Sequence, residues 1–239
     1  MKIGPHSTIG IIGGGGKTGG QFAELFRSAS CAVDVTGSKT HDRNADLFVR
    51  CDVVIFAVPL ARSVAIIEEE ISHATRQDQL ILDLSSLKEP QVNSMLRAQG
   101  EVIGMHPLFA PTTDPRGQTI ILCPGRASDE TVVSLQEMLH RMGLRTVLKD
   151  PHAHDRLMAL LQVLPHLKNF LVADVLRKID ANVSEILGTC TPAYELELNV
   201  VGRFLDDNPD LYGPIILQNP DTLMIMRTFR DVLDDSFDR

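Results

Sequence analysis

Thr8-Ile9-Gly10-Ile11-Ile12-Gly13-Gly14-Gly15-Gly16-Lys17-Thr18-Gly19-Gly20 is the stretch that decides the fold. Its apolar, β-branched start predicts a strand, its glycines a tight turn, and residues 21–28 a helix. Gly14, Gly16 and Gly19 stand at the G-x-G-x-x-G spacing. In that pattern the first glycine permits the turn and the second lets backbone N–H groups approach a diphosphate. The third lets the helix pack close to the strand. The helix N-terminus then faces the anion with its partial positive charge. The segment therefore reads as a dinucleotide site built from Gly14, Gly16, Lys17, Thr18 and Gly19. The competing reading is a plain glycine turn.

Working outward, short apolar runs recur at residues 32–36, 53–58, 80–84, 102–105 and 119–123, with a weaker one at 145–148. Residues 53–58 (VVIFAV) are almost wholly apolar, as a strand covered on both faces should be. Helical segments fit between the runs at 61–74, 90–99 and 129–142. Strands alternating with helices predict an α/β fold, a Rossmann-type, mostly parallel sheet over residues 1–150. Beyond about Asp150 strand runs cease, and residues 151–239 are expected to form an all-helical domain. Residues 154–179 are apolar at helical spacing, with Pro165 a kink or break. Residues 192–205 form another helix, Pro192 suiting its first turn. Asn208-Pro209 and Asn219-Pro220 read as turn or helix-start signals. Glu68-Glu69-Glu70 reads as a solvated helix face, and residues 231–238 as acidic surface or frayed terminus.

Composition narrows the function classes. The 239 residues carry a net charge of −8, with 44% hydrophobic and 23% charged residues. That balance lacks the basic footprint of a nucleic-acid binder. Absence of Trp and only two Tyr argue against base-stacking platforms. Cys31, Cys51, Cys123 and Cys190 form no C-x-x-C pair, so neither a zinc site, other metal centre nor disulfide framework is expected. Nothing resembles a signal peptide, and no apolar run approaches the length of a membrane span. A cytoplasmic protein with reduced thiols is the expectation.

Strand tips carry the remaining chemistry, because open parallel sheets bind ligands at the carboxyl ends of their strands. NAD-preferring folds place a carboxylate at the second tip for the ribose 2′-hydroxyl. This chain has Gly37-Ser38-Lys39-Thr40-His41-Asp42-Arg43 there. Ser38, Lys39 and Arg43 suit a 2′-phosphate, which favours NADP; NAD remains possible, with Asp42 available if the loop folds back. Val58-Pro59 ends the third run beside the expected cofactor. Ser86, in Asp83-Leu84-Ser85-Ser86-Leu87-Lys88, can orient a substrate hydroxyl or simply cap the following helix. His106, in Gly104-Met105-His106-Pro107-Leu108-Phe109, has an ordinary pKa suited to accepting a hydroxyl proton, or is a structural histidine.

Together the glycine turn, Asp83-Leu84-x-Ser86-x-Lys88, Gly104-x-His106-Pro107-x-Phe109, His154-Asp155 and Thr191-Pro192-Ala193-Tyr194-Glu195-Leu196-Glu197-Leu198 with Val201-Gly202-Arg203 resemble the prephenate dehydrogenase family of tyrosine biosynthesis. The similarity runs over essentially the whole chain. It is greatest to the dehydrogenase part of bacterial enzymes with a fused chorismate mutase, a domain for which this chain offers no room. The resemblance implies oxidation of prephenate at the hydroxyl-bearing ring carbon, hydride passing to a nicotinamide, and loss of the ring carboxylate as carbon dioxide. Arogenate would give tyrosine directly. It further implies His106 as the base, Ser86 as its orienting hydroxyl, and Arg203 as the partner of a substrate carboxylate. His154 and Asp155 match a pair lining the substrate cleft. Gln162 and His166, on the same helix, either face it or serve the core. Family members dimerise through the helical half, so a homodimer acting on a small molecule is expected. Glu195 stands where relatives carry arginine, and Gly37 where they carry an acid. Two other readings are a different two-domain NAD(P) dehydrogenase or reductase, and a non-catalytic dinucleotide sensor.

Overall fold

The computed structural model describes residues 3–206 and 209–237, so Asn208 and Asp238 of the expected turn and acidic end lie outside the described residues. The chain divides into two compact units, one ending at His154 and the other beginning at Asp155.

The first unit holds a seven-stranded sheet in the order β2-β1-β3-β4-β5-β6-β7. Its strands are β1 (Thr8–Ile12), β2 (Ala32–Thr36), β3 (Val53–Phe56), β4 (Leu80–Asp83), β5 (Glu101–Pro107), β6 (Thr119–Arg126) and β7 (Arg145–Leu148). Neighbours pair in parallel except β5 and β6, which are antiparallel. The helices are α1 (Lys17–Ser28), α2 (Asn44–Arg50), α3 (Leu60–Glu70), α4 (Glu89–Met95) and α5 (Asp129–Arg141). Ser128 caps α5, its hydroxyl accepting from Thr131 N.

Alternation along the strands divides the core into two layers. Ile9, Ile11, Val53, Ile55, Leu80 and Leu82 face one side, where Phe22 and Phe26 of α1 and Leu135, Met138 and Leu139 of α5 cover them. Ile12, Val54, Phe56 and Ile81 face the other, under Leu47 and Phe48 of α2, Ile67 of α3, and Val92 and Met95 of α4. Both faces being covered explains why these strands read as continuous apolar runs.

The second unit continues the helix α6 (Pro151–Met158) through a π-helical turn, Ala159–Val163, into α7 (Leu164–Lys178). Then come α8 (Val183–Thr189), α9 (Pro192–Asp206), α10 (Pro209–Gln218) and α11 (Thr222–Phe237). Ala159, Val163 and Ile225 form its small core, with Leu164 and Ile216 against them. Lys168 of α7 pairs with Glu197 of α9 at 2.7 Å.

Several expectations change. Residues 44–50, left without an element, form α2. The helical run does not break at Pro165, which sits in the first turn of α7 directly after the π turn. The continuous helix Pro151–Lys178 is, by length and composition, long and apolar enough to cross a membrane. Residues 231–237 are on the surface as expected, as the exposed last turns of α11 rather than a frayed end. Of the three glutamates, Glu70 is half-buried and accepts from Asn44 Nδ2 at 2.8 Å.

Candidate active site

With β2 on one side of β1 and β3 on the other, connections leave the sheet in opposite directions at β1. The resulting crevice at the strand carboxyl ends is where such sheets take ligands. The glycine turn lies at its mouth. Gly13 has φ of +88°, and a Cβ on it would stand 2.3 Å from Ala57 O. A Cβ on Gly14 would stand 2.6 Å from Val35 Cβ, and one on Gly19 2.5 Å from Gly13 O. The residue needing positive φ is thus Gly13, one before the expected Gly14; Gly14 is required for close approach to β2. Gly19 performs the helix-to-turn packing expected of it. Gly16 is the N-cap of α1 and supplies no side-chain cap to the first-turn N–H groups. Lys17 is exposed and Thr18 half-buried at that turn. Val58, two residues past β3, lies beside Gly13, and Pro59 is the N-cap of α3. A glycine cradle opening onto an uncapped helix start fits a dinucleotide diphosphate.

At the second tip, Thr36 Oγ1 donates to Asn44 Oδ1 (2.6 Å), so the last β2 side chain is tied inward. Gly37 leaves open space, and Ser38 and Lys39 are exposed. Lys39 has no acidic partner among the described residues. Arg43 instead lies 3.7 Å from Asp34, which Arg50 also holds at 2.9 Å. Asp42 is exposed.

The β4 and β5 tips are joined by a buried ion pair. Lys88 Nζ donates to both Asp83 oxygens, at 2.6 and 2.5 Å, and to Met105 O at 2.9 Å. Ser85 donates to Asp83 through its backbone N (3.0 Å) and its hydroxyl. Gly104 leaves room for this pair, since a Cβ there would meet Lys88 Cδ at 2.9 Å. In the sequence alone Asp83 and Lys88 carry no role. An acid closing an apolar strand with a lysine five residues on was the available signal. Ser86 is half-buried and is no helix cap; α4 begins after Lys88 without a side-chain cap.

His106 follows Met105 on β5 and is 3% exposed. Its Nδ1 lies 2.9 Å from Nε2 of His154, which is fully buried on α6. Burial, then His154 and the Lys88 cation, hold the His106 pKa well below its ordinary value. The ring is therefore neutral at neutral pH, the state a general base needs. His154 thus meets His106 inside the first unit, a neighbour the sequence did not suggest. Asp155 is fully buried too, and its backbone O accepts from Asn219 Nδ2 at 2.8 Å.

The other expected substrate residues belong to the second unit. Gln162 is half-buried in the π turn. His166 packs against Tyr212 and Phe204, with ring centroids 4.5 and 5.7 Å away, and burial lowers its pKa. Arg203 is exposed on α9. With Asn199, Asp180 and Asp206 it lines a groove of about 740 Å³ over α7, α8 and α9.

Two family models cover most of the chain. "Prephenate dehydrogenase, nucleotide-binding domain" matches residues 24–148, and "Prephenate dehydrogenase, dimerization domain" matches residues 150–235. The T-protein of Haemophilus influenzae is 29% identical over 230 residues, 95% of this chain and 60% of that protein. A probable arogenate/prephenate dehydrogenase of Methanocaldococcus jannaschii is 29% identical over 93% of this chain and 54% of that one. This chain thus spans little more than half of those relatives. Prephenate dehydrogenase from A. aeolicus, solved with hydroxyphenyl propionate and NAD+, superposes with a TM-score of 0.72 at 19% identity, over 96% of this chain and 88% of that one. That likeness establishes the shared fold. With both halves matched in order, the chain belongs to the prephenate dehydrogenase family.

Proposed function

We propose that this protein catalyses the NAD(P)-dependent oxidative decarboxylation of prephenate or arogenate. One observation carries the reading: a neutral, buried imidazole, His106, ends a strand at the sheet edge that also bears the glycine turn. When bound, the cofactor supplies the hydride acceptor. His106 takes the proton of the ring hydroxyl at Nε2, its Nδ1 being committed to His154. The hydroxyl-bearing carbon becomes a carbonyl as it loses hydride, and departure of the ring carboxylate as carbon dioxide returns an electron pair to the ring, which becomes aromatic. Ser86, one strand over, orients the hydroxyl. Arg203, with its planar fork of donors, pairs with a substrate carboxylate. Gln162 and His166, expected either to face the substrate or to serve the core, lie in the helical unit, where His166 packs against Tyr212 and Phe204.

The finer assignments follow from the same reading. NADP is the preferred cofactor, supported by the missing carboxylate at the β2 tip and the exposed Lys39 beside it. The protein is a homodimer formed through its helical unit. Supporting this are the dimerization model over residues 150–235 and the many exposed apolar side chains there, among them Phe170, Leu196, Leu217 and Leu223. A cytoplasmic location agrees with four free thiols.

The test is a matrix of prephenate and arogenate against NAD and NADP, read by absorbance of the reduced nicotinamide. Turnover with one substrate, faster with NADP and abolished in His106→Asn, is expected. A folded protein that binds dinucleotide yet turns over neither substrate would refute the assignment in favour of a sensor or another dehydrogenase. Light scattering of the purified chain should report the mass of two copies; one copy would refute the dimer.

A further inference from the structure

Two buried imidazoles in direct contact carry information that neither gives alone. The rings of His106 and His154 lie 5.0 Å apart, edge-on at 66°, with Nδ1 of one 2.9 Å from Nε2 of the other. One proton lies along that line, so the two nitrogens must take opposite roles. Either His106 Nδ1–H donates to a lone pair on His154, or His154 Nε2–H donates to a lone pair on His106. The two arrangements differ at the far side of His106. In the first its Nε2 carries a lone pair; in the second its Nε2 carries a proton and cannot accept another.

We propose that His154 is a positioning residue that accepts a hydrogen bond from His106 Nδ1–H and so fixes the tautomer whose Nε2 is basic. This rests on the reading of His106 as the base for the substrate hydroxyl. The fold holds His154 firmly in place for the task. It lies on the first turn of α6, where its N–H donates to Asp150 O (2.8 Å). Asp150 Oδ1 accepts from His152 N (3.0 Å) and Ala153 N (3.1 Å), pinning the same turn. Burial and its surroundings keep the His106 ring neutral. From β4 and the turn after it, Lys88 faces His106 with its charge matched by Asp83. On α6, His152 bonds Glu89 of α4 at 3.1 Å, and Asp155 follows His154 in the chain. His154 thereby does the orienting work that a carboxylate does in a Ser-His-Asp triad, without adding negative charge. An uncharged acceptor directs the ring without raising its pKa, which burial, His154 and Lys88 hold down.

The test starts with the unaltered full-length protein. Nitrogen-15 spectra of labelled histidines distinguish a protonated ring nitrogen from one bearing a lone pair, and His106→Asn assigns the signals. At neutral pH His106 should show a protonated Nδ1 and an unprotonated Nε2. His154→Leu, which accepts nothing, should give a mixture of tautomers and lower kcat by about tenfold or more with little change in KM. His154→Gln, whose amide oxygen accepts, should recover part of both. A lone pair on His106 Nδ1 in the unaltered protein would overturn the proposal. So would a tautomer that stays fixed in a folded His154→Leu variant. The expected tautomer in a protein inactive on both substrates would uphold the His154 assignment and refute the dehydrogenase reading instead.

Discussion

Lys88 offers the severest test of how the β4 and β5 tips are held. Its side chain is fully buried, and its ammonium donates to both oxygens of Asp83 and to that of Met105. Lys88→Met keeps the length of the stem and removes the charge. Asp83, itself 1% exposed, is then left without its counter-charge. Breaking a buried pair from one side costs about 3–5 kcal/mol, roughly two to four powers of ten in a folding equilibrium. Adding Asp83→Asn removes the stranded charge and keeps a partner for Ser85, so the double variant should recover most of the loss. The chain has no Trp, so far-UV circular dichroism is the signal of choice for the urea transition. The single variant should unfold at distinctly lower urea than either the parent or the double variant. A single variant within about 1 kcal/mol of the parent, or a double variant weaker than the single, would refute this account of the pair.

Three further outcomes follow from other features. Because the His106 pKa lies below its ordinary 6.5, kcat should hold as pH falls through 6.5 and drop only lower, as the ring takes a proton; a limb at or above 6.5 would contradict its burial. The same shift predicts falling stability over that interval, since the unfolded chain binds a proton that the folded one does not. Lys39→Glu should reduce kcat/KM with NADP by about tenfold while sparing NAD, the scale of a lost charge-assisted contact; equal losses with both would place the 2′-phosphate elsewhere. In the native protein a thiol reagent should modify Cys190 promptly and spare buried Cys31, Cys51 and Cys123, with burial pushing the Cys51 thiol up to about 11; early reaction of Cys51 would show that β3 opens at its start.

Local patterns told most about the first unit. Continuous apolar runs marked the buried strands because both sheet faces are covered, and the glycine turn marked β1 and α1 because only glycine fits against Ala57, Val35 and Gly13. What escaped depended on partners distant in sequence. β6 runs antiparallel to β5, an orientation that its apolar residues do not encode. The short α2 begins with Asn44, whose side chain serves Thr36 and Glu70 rather than a helical pattern. Pro165 reads as a kink or break because it lacks an N–H, yet the helix runs on through it after a π turn that contacts α10 and α11. His106 was found as a candidate, but the 48 residues separating it from His154 hid their contact. Lys88 and Asp83 were visible as letters and silent as a pair, since a lysine five residues beyond an acid is usually on the surface.

The glycine turn also separates what folding requires from what a ligand requires. At Gly13, Gly14 and Gly19 a methyl group would strike the protein itself, so any side chain there disturbs the architecture. At Gly15 an added Cβ meets nothing within 4 Å. A library randomised at that one codon should therefore yield well-folded proteins whose only obstructed neighbour is the incoming diphosphate, making it the natural place to uncouple chain integrity from nucleotide uptake.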